Sequence, residues 1–146
     1  MSELRLLVLD DEPAFCTFVR RVAEAEGYRV ETLTRPSEFT TVYRRFRPHV
    51  IVLDVVMPEI DGFEIVQWLV GERSDARLII VSGYNPLYTR MAQVYAEARE
   101  TSHLDGSGAE PSDGLRTRSV YRFSKPVRVR DLRDALRGAD VGAVGR

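Results

Sequence analysis

Short aliphatic runs alternate with segments of helical period along most of this chain. Leu4 to Leu9 is a near-continuous apolar run, as a strand buried on both faces requires. It gives way at Asp10-Asp11-Glu12-Pro13, after which Phe15, Val19, Val22 and Ala23 recur at helical spacing and Gly27 supplies a stop. Tyr28 to Leu33 reads as a second strand. Thr34 is placed to cap a helix carrying Phe39, Val42, Tyr43 and Phe46 on one face. Val50 to Leu53 forms a third strand that ends on Asp54, and the turn-rich Met57-Pro58-Glu59-Ile60-Asp61-Gly62 leads into a helix with Phe63, Val66, Leu69 and Val70 on its core face. Leu78 to Val81 is a fourth strand, ending on Ser82-Gly83. Leu87, Met91, Val94, Tyr95 and Ala98 make a further apolar stripe. Residues 101–119 break the rhythm with three glycines, four serines and Pro111, which predicts a flexible loop. Val120 to Ser124 is a fifth strand followed by Lys125-Pro126. Val129, Leu132 and Leu136 mark a last helix, and Gly138 to Arg146 is a tail with no core face.

Five strand–helix units predict an open, doubly wound α/β domain, with a parallel sheet and helices on both faces. In such sheets ligands bind beyond the carboxyl ends of the strands, near the point where the strand order reverses. Four of the five strand ends carry chemically capable groups there: Asp10 and Asp11, Asp54, Ser82 and Lys125; the second ends on Leu33-Thr34. Three carboxylates on one rim repel each other unless a cation neutralises them. A hard divalent ion such as Mg²⁺ suits them, because it takes one or two carboxylates, waters and a phosphate oxygen. His49 and His103 are isolated and Cys16 lies on a helix, so no zinc set competes. A lysine ammonium and a serine hydroxyl suit phosphoryl oxygens, and an aspartate can attack phosphorus to give an acyl phosphate. By itself Asp10-Asp11-Glu12 also fits a plain charge complement to a helix N-terminus; its company on the rim favours the metal.

Composition narrows the class. The 146 residues suffice for one domain, and 44% apolar with 29% charged residues is the balance of a soluble globular chain. A net charge of −1 excludes a whole-chain basic footprint for nucleic acid. One cysteine excludes an internal disulfide. The absence of a leader or an apolar span leads us to expect the cytoplasm and no membrane contact. Basic residues from Arg116 to Arg137 make a local stretch of eight positive charges, with Asp131 and Asp134 among them. It suits an acidic protein partner better than DNA, since no recognition motif accompanies it. Of the 21 basic residues, Lys125 is the single lysine.

The segments Val8-Leu9-Asp10-Asp11-Glu12, Val52-Leu53-Asp54-Val55-Val56-Met57-Pro58, Asp61-Gly62, Val81-Ser82-Gly83 and Ser124-Lys125-Pro126 resemble, in order, the receiver domain of bacterial two-component response regulators. The resemblance covers residues 4–137 as one receiver domain, with 138–146 as a flexible tail or linker too short for a DNA-binding output module. It implies a five-stranded flavodoxin-like sheet of order 2-1-3-4-5. It also implies that Asp54 accepts phosphate from a sensor histidine kinase or a histidine phosphotransfer protein. The implied Mg²⁺ ligands are Asp11, Asp10 partly through water, Asp54 and the backbone carbonyl of Val56. Ser82 and Lys125 would contact the phosphoryl group, and the Lys125-Pro126 bond would be cis. Such a domain is a switch that catalyses its own phosphorylation, not a turnover enzyme. It would act on an unidentified output protein, and a homodimer stays open.

Two departures stand out. The family's usual Tyr or Phe three residues before the lysine is Arg122 here, with Tyr121 and Phe123 on the opposite face by strand alternation. Tyr84 or Tyr88 could take the aromatic's part. Ser82 and Lys125 are 43 positions apart, beyond the family's usual spacing, and the extra residues fall in the fourth helix and the 101–119 loop. A pseudo-receiver serving as a constitutive interaction module is the rival reading, which the intact acidic and lysine positions disfavour. An aspartyl-phosphate phosphohydrolase is a third; its acid/base aspartate is missing, because Val56 stands two residues after Asp54.

Overall fold

The computed structural model describes residues 3–55, 62–83 and 120–141, with Val94 and Glu97 between them. The elements are β1 (Leu4–Leu9), α1 (Pro13–Ala25), β2 (Tyr28–Leu33), a single 3₁₀ turn (Pro36–Glu38), α2 (Phe39–Phe46), β3 (Val50–Asp54), α3 (Gly62–Gly71), β4 (Arg77–Ser82), β5 (Val120–Ser124) and α4 (Val129–Val141). All strand pairings are parallel, in the expected order β2-β1-β3-β4-β5.

The aliphatic strands are continuous because both faces of the sheet are covered. Leu7, Leu9, Ile51, Leu53, Leu78 and Ile80 point to one side, with Phe39 and Phe46 of α2 and Ile65, Val66 and Leu69 of α3. Leu6, Val8, Val50, Val52, Ile79 and Val81 point to the other, with Cys16, Val19 and Val22 of α1 and Leu132, Ala135 and Leu136 of α4. Period-2 alternation of side chains divides the strands between two separate cores. Each fully buried Leu or Ile stabilises the fold by about 1.5–3 kcal/mol. Tyr28 ties α4 to this frame, its hydroxyl donating to the Leu136 carbonyl at 3.1 Å.

Several local expectations change. Thr34 caps nothing: Pro36 is buried in the 3₁₀ turn, and α2 begins at Phe39 with no side-chain cap. A proline supplies its own φ and needs no N–H partner, so it starts the turn without Thr34. Ile65, absent from the expected stripe of α3, is core, whereas Phe63 and Val70 are only partly buried. Val129, expected on the core face of the last helix, is 44% exposed, and Ala135 joins Leu132 and Leu136 inside. α4 runs to Val141, so the expected boundary at 137 falls within the helix. Of the further stripe, Val94 is 52% exposed, while Leu87, Met91, Tyr95 and Ala98, the 101–119 loop, His103, and Tyr84 and Tyr88 lie outside the described residues.

The chain leaves β1 toward β2 and returns across it to β3, so the order reverses between β1 and β3. Crevices in open α/β sheets form at that reversal, beyond the carboxyl ends. Asp10 follows β1 and Asp54 ends β3.

Candidate functional acidic site

Asp10 is held inside by its neighbours. Its backbone N–H donates to the Leu33 carbonyl at 3.1 Å, extending the β1–β2 ladder by one residue. Its Oδ1 accepts the Glu12 N–H at 2.9 Å, which turns the chain into α1 at Pro13. The side chain is 0% exposed and Asp54 3%, while Asp11 is exposed. One carboxylate oxygen from each of Asp10, Asp11 and Asp54 lies within 4.8 Å of the others. Burial pushes the Asp10 carboxyl above its ordinary range and the Asp11 charge adds to this. The Lys125 ammonium and the Glu12 N–H oppose it.

Lys125 enters from β5. Its N–H donates to the Ser82 carbonyl at 2.9 Å, continuing the β4–β5 ladder, and the Lys125-Pro126 peptide is cis as expected. The ammonium lies 2.8 Å from Asp10 Oδ2, 3.1 Å from Glu12 Oε1 and 3.7 Å from Asp54 Oδ2, with the side chain 16% exposed. The contact to Asp10 Oδ2 is an ion pair without an aligned hydrogen bond, and among the described residues that buried oxygen has no other donor. Burial would lower the Lys125 pKa, but Asp10, Glu12 and Asp54 outweigh it and raise it, so the ammonium stays charged. Ser82 is buried at the end of β4, level with Ser124.

The sheet therefore brings Asp10, Asp11, Asp54, Ser82 and Lys125 to one rim. Val56 lies outside the described residues. The lysine also has two neighbours that the sequence pattern does not pair with it: Glu12, 62% exposed, and Phe15, whose ring centroid is 4.6 Å from the ammonium. Both pair with a residue more than 100 positions away, so no local period reports them. Tyr121 and Phe123 pack toward α1 and α4, while Arg122 is exposed on the other face beside Ile80. Cys16 donates its thiol toward the carbonyls of Asp10 and Leu33, and burial pushes its pKa up to about 11, which makes it an unreactive core residue.

Among the described residues, four carboxylates against one ammonium leave the rim negative. Among the described residues the ligand atoms are all oxygens and Asp10 Oδ2 is buried without an aligned donor, so the set fits a hard divalent cation.

Comparison with known proteins agrees with this fold. The family model described as "Response regulator receiver domain" matches residues 6–101. The response regulator MprA of Mycobacterium tuberculosis is 31% identical over 123 residues, covering 84% of this chain and 53% of that protein. The chain thus spans about half the length of the relatives it matches. A signal receiver domain from Bermanella marisrubri superposes with a TM-score of 0.70 at 19% identity, covering 94% of this chain and 98% of that one. A CheY-like receiver domain from Methanospirillum hungatei gives 0.68 at 21% identity, covering 93% and 92%. At these identities the two structures bear on the fold alone.

Proposed function

This chain belongs to the response regulator receiver domain family, and from that premise we infer that it is a phosphorylatable switch whose acceptor is Asp54. The observation that carries the reading is a buried Asp54 at the end of β3, inside a three-carboxylate cluster and 3.7 Å from an ammonium. A phosphohistidine on a sensor kinase or phosphotransfer protein is the donor. An Asp54 oxygen attacks phosphorus, the new O–P bond forms as the P–N bond breaks, and the imidazole leaves with the electron pair. Transfer of this kind depends on positioning and charge neutralisation more than on covalent chemistry.

Asp10, Asp11 and Asp54 would hold Mg²⁺, with the Val56 carbonyl proposed as a further ligand. The ion would offset the charge of the phosphoryl oxygens. Lys125 keeps its proton and offers a compact positive charge to one phosphoryl oxygen, and Ser82 donates a hydroxyl hydrogen bond to another. The domain then carries a signal to an output protein and does not turn over substrate. An intact acidic rim and lysine count against a pseudo-receiver.

Incubation with Mg²⁺ and acetyl phosphate should add one phosphoryl group to the intact protein, while Asp54→Asn should stay unmodified. Sustained phosphate release with no adduct would indicate a hydrolase. No adduct and no release would leave the interaction module.

A further inference from the structure

The Lys125 ammonium is within reach of three carboxylates and of the face of one aromatic ring. Asp10, Glu12 and Asp54 oxygens lie at 2.8, 3.1 and 3.7 Å, and the Phe15 centroid at 4.6 Å. Phe15 sits in the first turn of α1, where its N–H donates to the Glu12 carbonyl at 3.0 Å, so one turn of chain sets both the ring and the Glu12 carboxylate. Phe18, on the next turn, packs against it with centroids 5.7 Å apart and keeps the ring from swinging away. Lysine is a point charge on a flexible stem with three donors and little directional preference of its own. A ring face attracts the cation through its quadrupole and takes the place of water, whereas an aliphatic side chain of similar bulk supplies only the second effect.

We propose that Phe15 is a positioning residue whose ring holds the Lys125 ammonium against the acidic rim, ready for the phosphoryl oxygens. The proposal rests on the reading of Asp54 as phospho-acceptor. With acetyl phosphate, an Asp54 oxygen bonds to phosphorus as the bond from phosphorus to the acetyl oxygen breaks, and acetate leaves with the electron pair. Lys125 remains protonated throughout. Phe15 touches neither reactant and acts only through the lysine.

Because the chain has a single lysine, isotope-labelled lysine gives one set of side-chain NMR signals. Ring current should place the Lys125 ε-methylene protons upfield of free lysine in wild type and in Phe15→Tyr, and Phe15→Leu should return them toward the free value. With acetyl phosphate and Mg²⁺, Phe15→Leu should accept phosphate about three- to tenfold more slowly, with Phe15→Tyr near wild type. In a Lys125→Ala background, Phe15→Leu should change the rate little. Equal slowing in both backgrounds would mean that Phe15 merely supports the fold, and it overturns the proposal, as does a wild-type lysine signal at the free position. If wild type takes no phosphate, the acceptor reading fails. The lysine signal then decides the placement alone: movement in Phe15→Leu upholds it, and no movement overturns it.

Discussion

Asp11 is the exposed member of the carboxylate cluster, and its charge works against the buried Asp10 beside it. A group that destabilises its neighbours is retained where function needs it. Asp11→Asn should therefore raise stability in the absence of divalent ions, by about 0.5 kcal/mol given its exposure. Urea titration with a chelator present checks this; an unchanged or lowered midpoint would show that Asp11 is not repelled there. Lys125→Arg tests the other sign of charge. A guanidinium is a broad fork, and the space between Asp10 and the Phe15 ring fits a compact ammonium. The variant should still accept phosphate but lose the phosphate-induced amide shifts seen in wild type by NMR. A variant matching wild type in both would deny the lysine a role in transmitting the change. Gly62 is demanding for a different reason. A Cβ there would lie 2.4 Å from Val55 Cα and 2.6 Å from the Asp54 carbonyl oxygen, both backbone atoms. Gly62→Ala must displace the end of β3, with an expected loss of about 1–3 kcal/mol measured by thermal melting.

Between elements, His49 joins three strands at their amino ends. Its Nδ1 accepts the Arg5 N–H at 3.0 Å, its own N–H donates to the Arg5 carbonyl at 2.8 Å, and its carbonyl accepts the Arg77 N–H at 2.8 Å. An accepting Nδ1 requires the unprotonated nitrogen. Partial desolvation of the imidazole and the Arg5 charge lower the His49 pKa from 6.5, against a smaller pull from Asp75. The folded state thus binds its proton more weakly than the unfolded chain. The contribution is full above pH 6.5 and is lost as pH falls through the lower folded value. His49→Gln should flatten that part of the pH–stability curve. Because His49 is exposed, the difference should be no more than about 0.5 kcal/mol, read from urea midpoints on either side of the transition. A curve unaltered by the substitution would remove His49 from this role. Element boundaries also show where sequence reading stops. The strands were legible because burial on both faces makes each a continuous aliphatic run. The start of α2 was not, because Pro36 sets the turn by its own ring while Thr34 only looks like a cap. The end of α4 was misplaced because the residues from Gly138 onward show no core face, yet the helix continues to Val141.

At the scale of the whole molecule, the strand order places every rim carboxylate at one end of the sheet, so a cation bound there should stabilise the entire fold by mass action. At Mg²⁺ ten times its dissociation constant, the gain is about 1.4 kcal/mol, or a few degrees in Tm. Asp11→Asn should abolish the rise, and a rise that persists would put the ion elsewhere. The candidate site was legible for the same topological reason: strand ends in a parallel sheet converge, so the sequence alone gathers Asp10, Asp54, Ser82 and Lys125. What surrounds Lys125 was not legible, because Glu12 and Phe15 reach it across a fold-level gap with no periodic trace.

The two cores share no side chain, since the sheet itself lies between them. Kinship in this protein therefore follows faces rather than chain order: Leu6 and Leu7 are adjacent residues in different communities, while Leu6 and Leu136 belong to one despite their distance in sequence. A substitution inside the α2–α3 side should accordingly leave the α1–α4 side, with the lysine's ring and its acidic companions, undisturbed. Paired truncations measure that independence. Leu69→Ala and Leu132→Ala, on opposite sides, should sum within about 0.5 kcal/mol in urea denaturation, and a larger discrepancy would mean that the partition leaks.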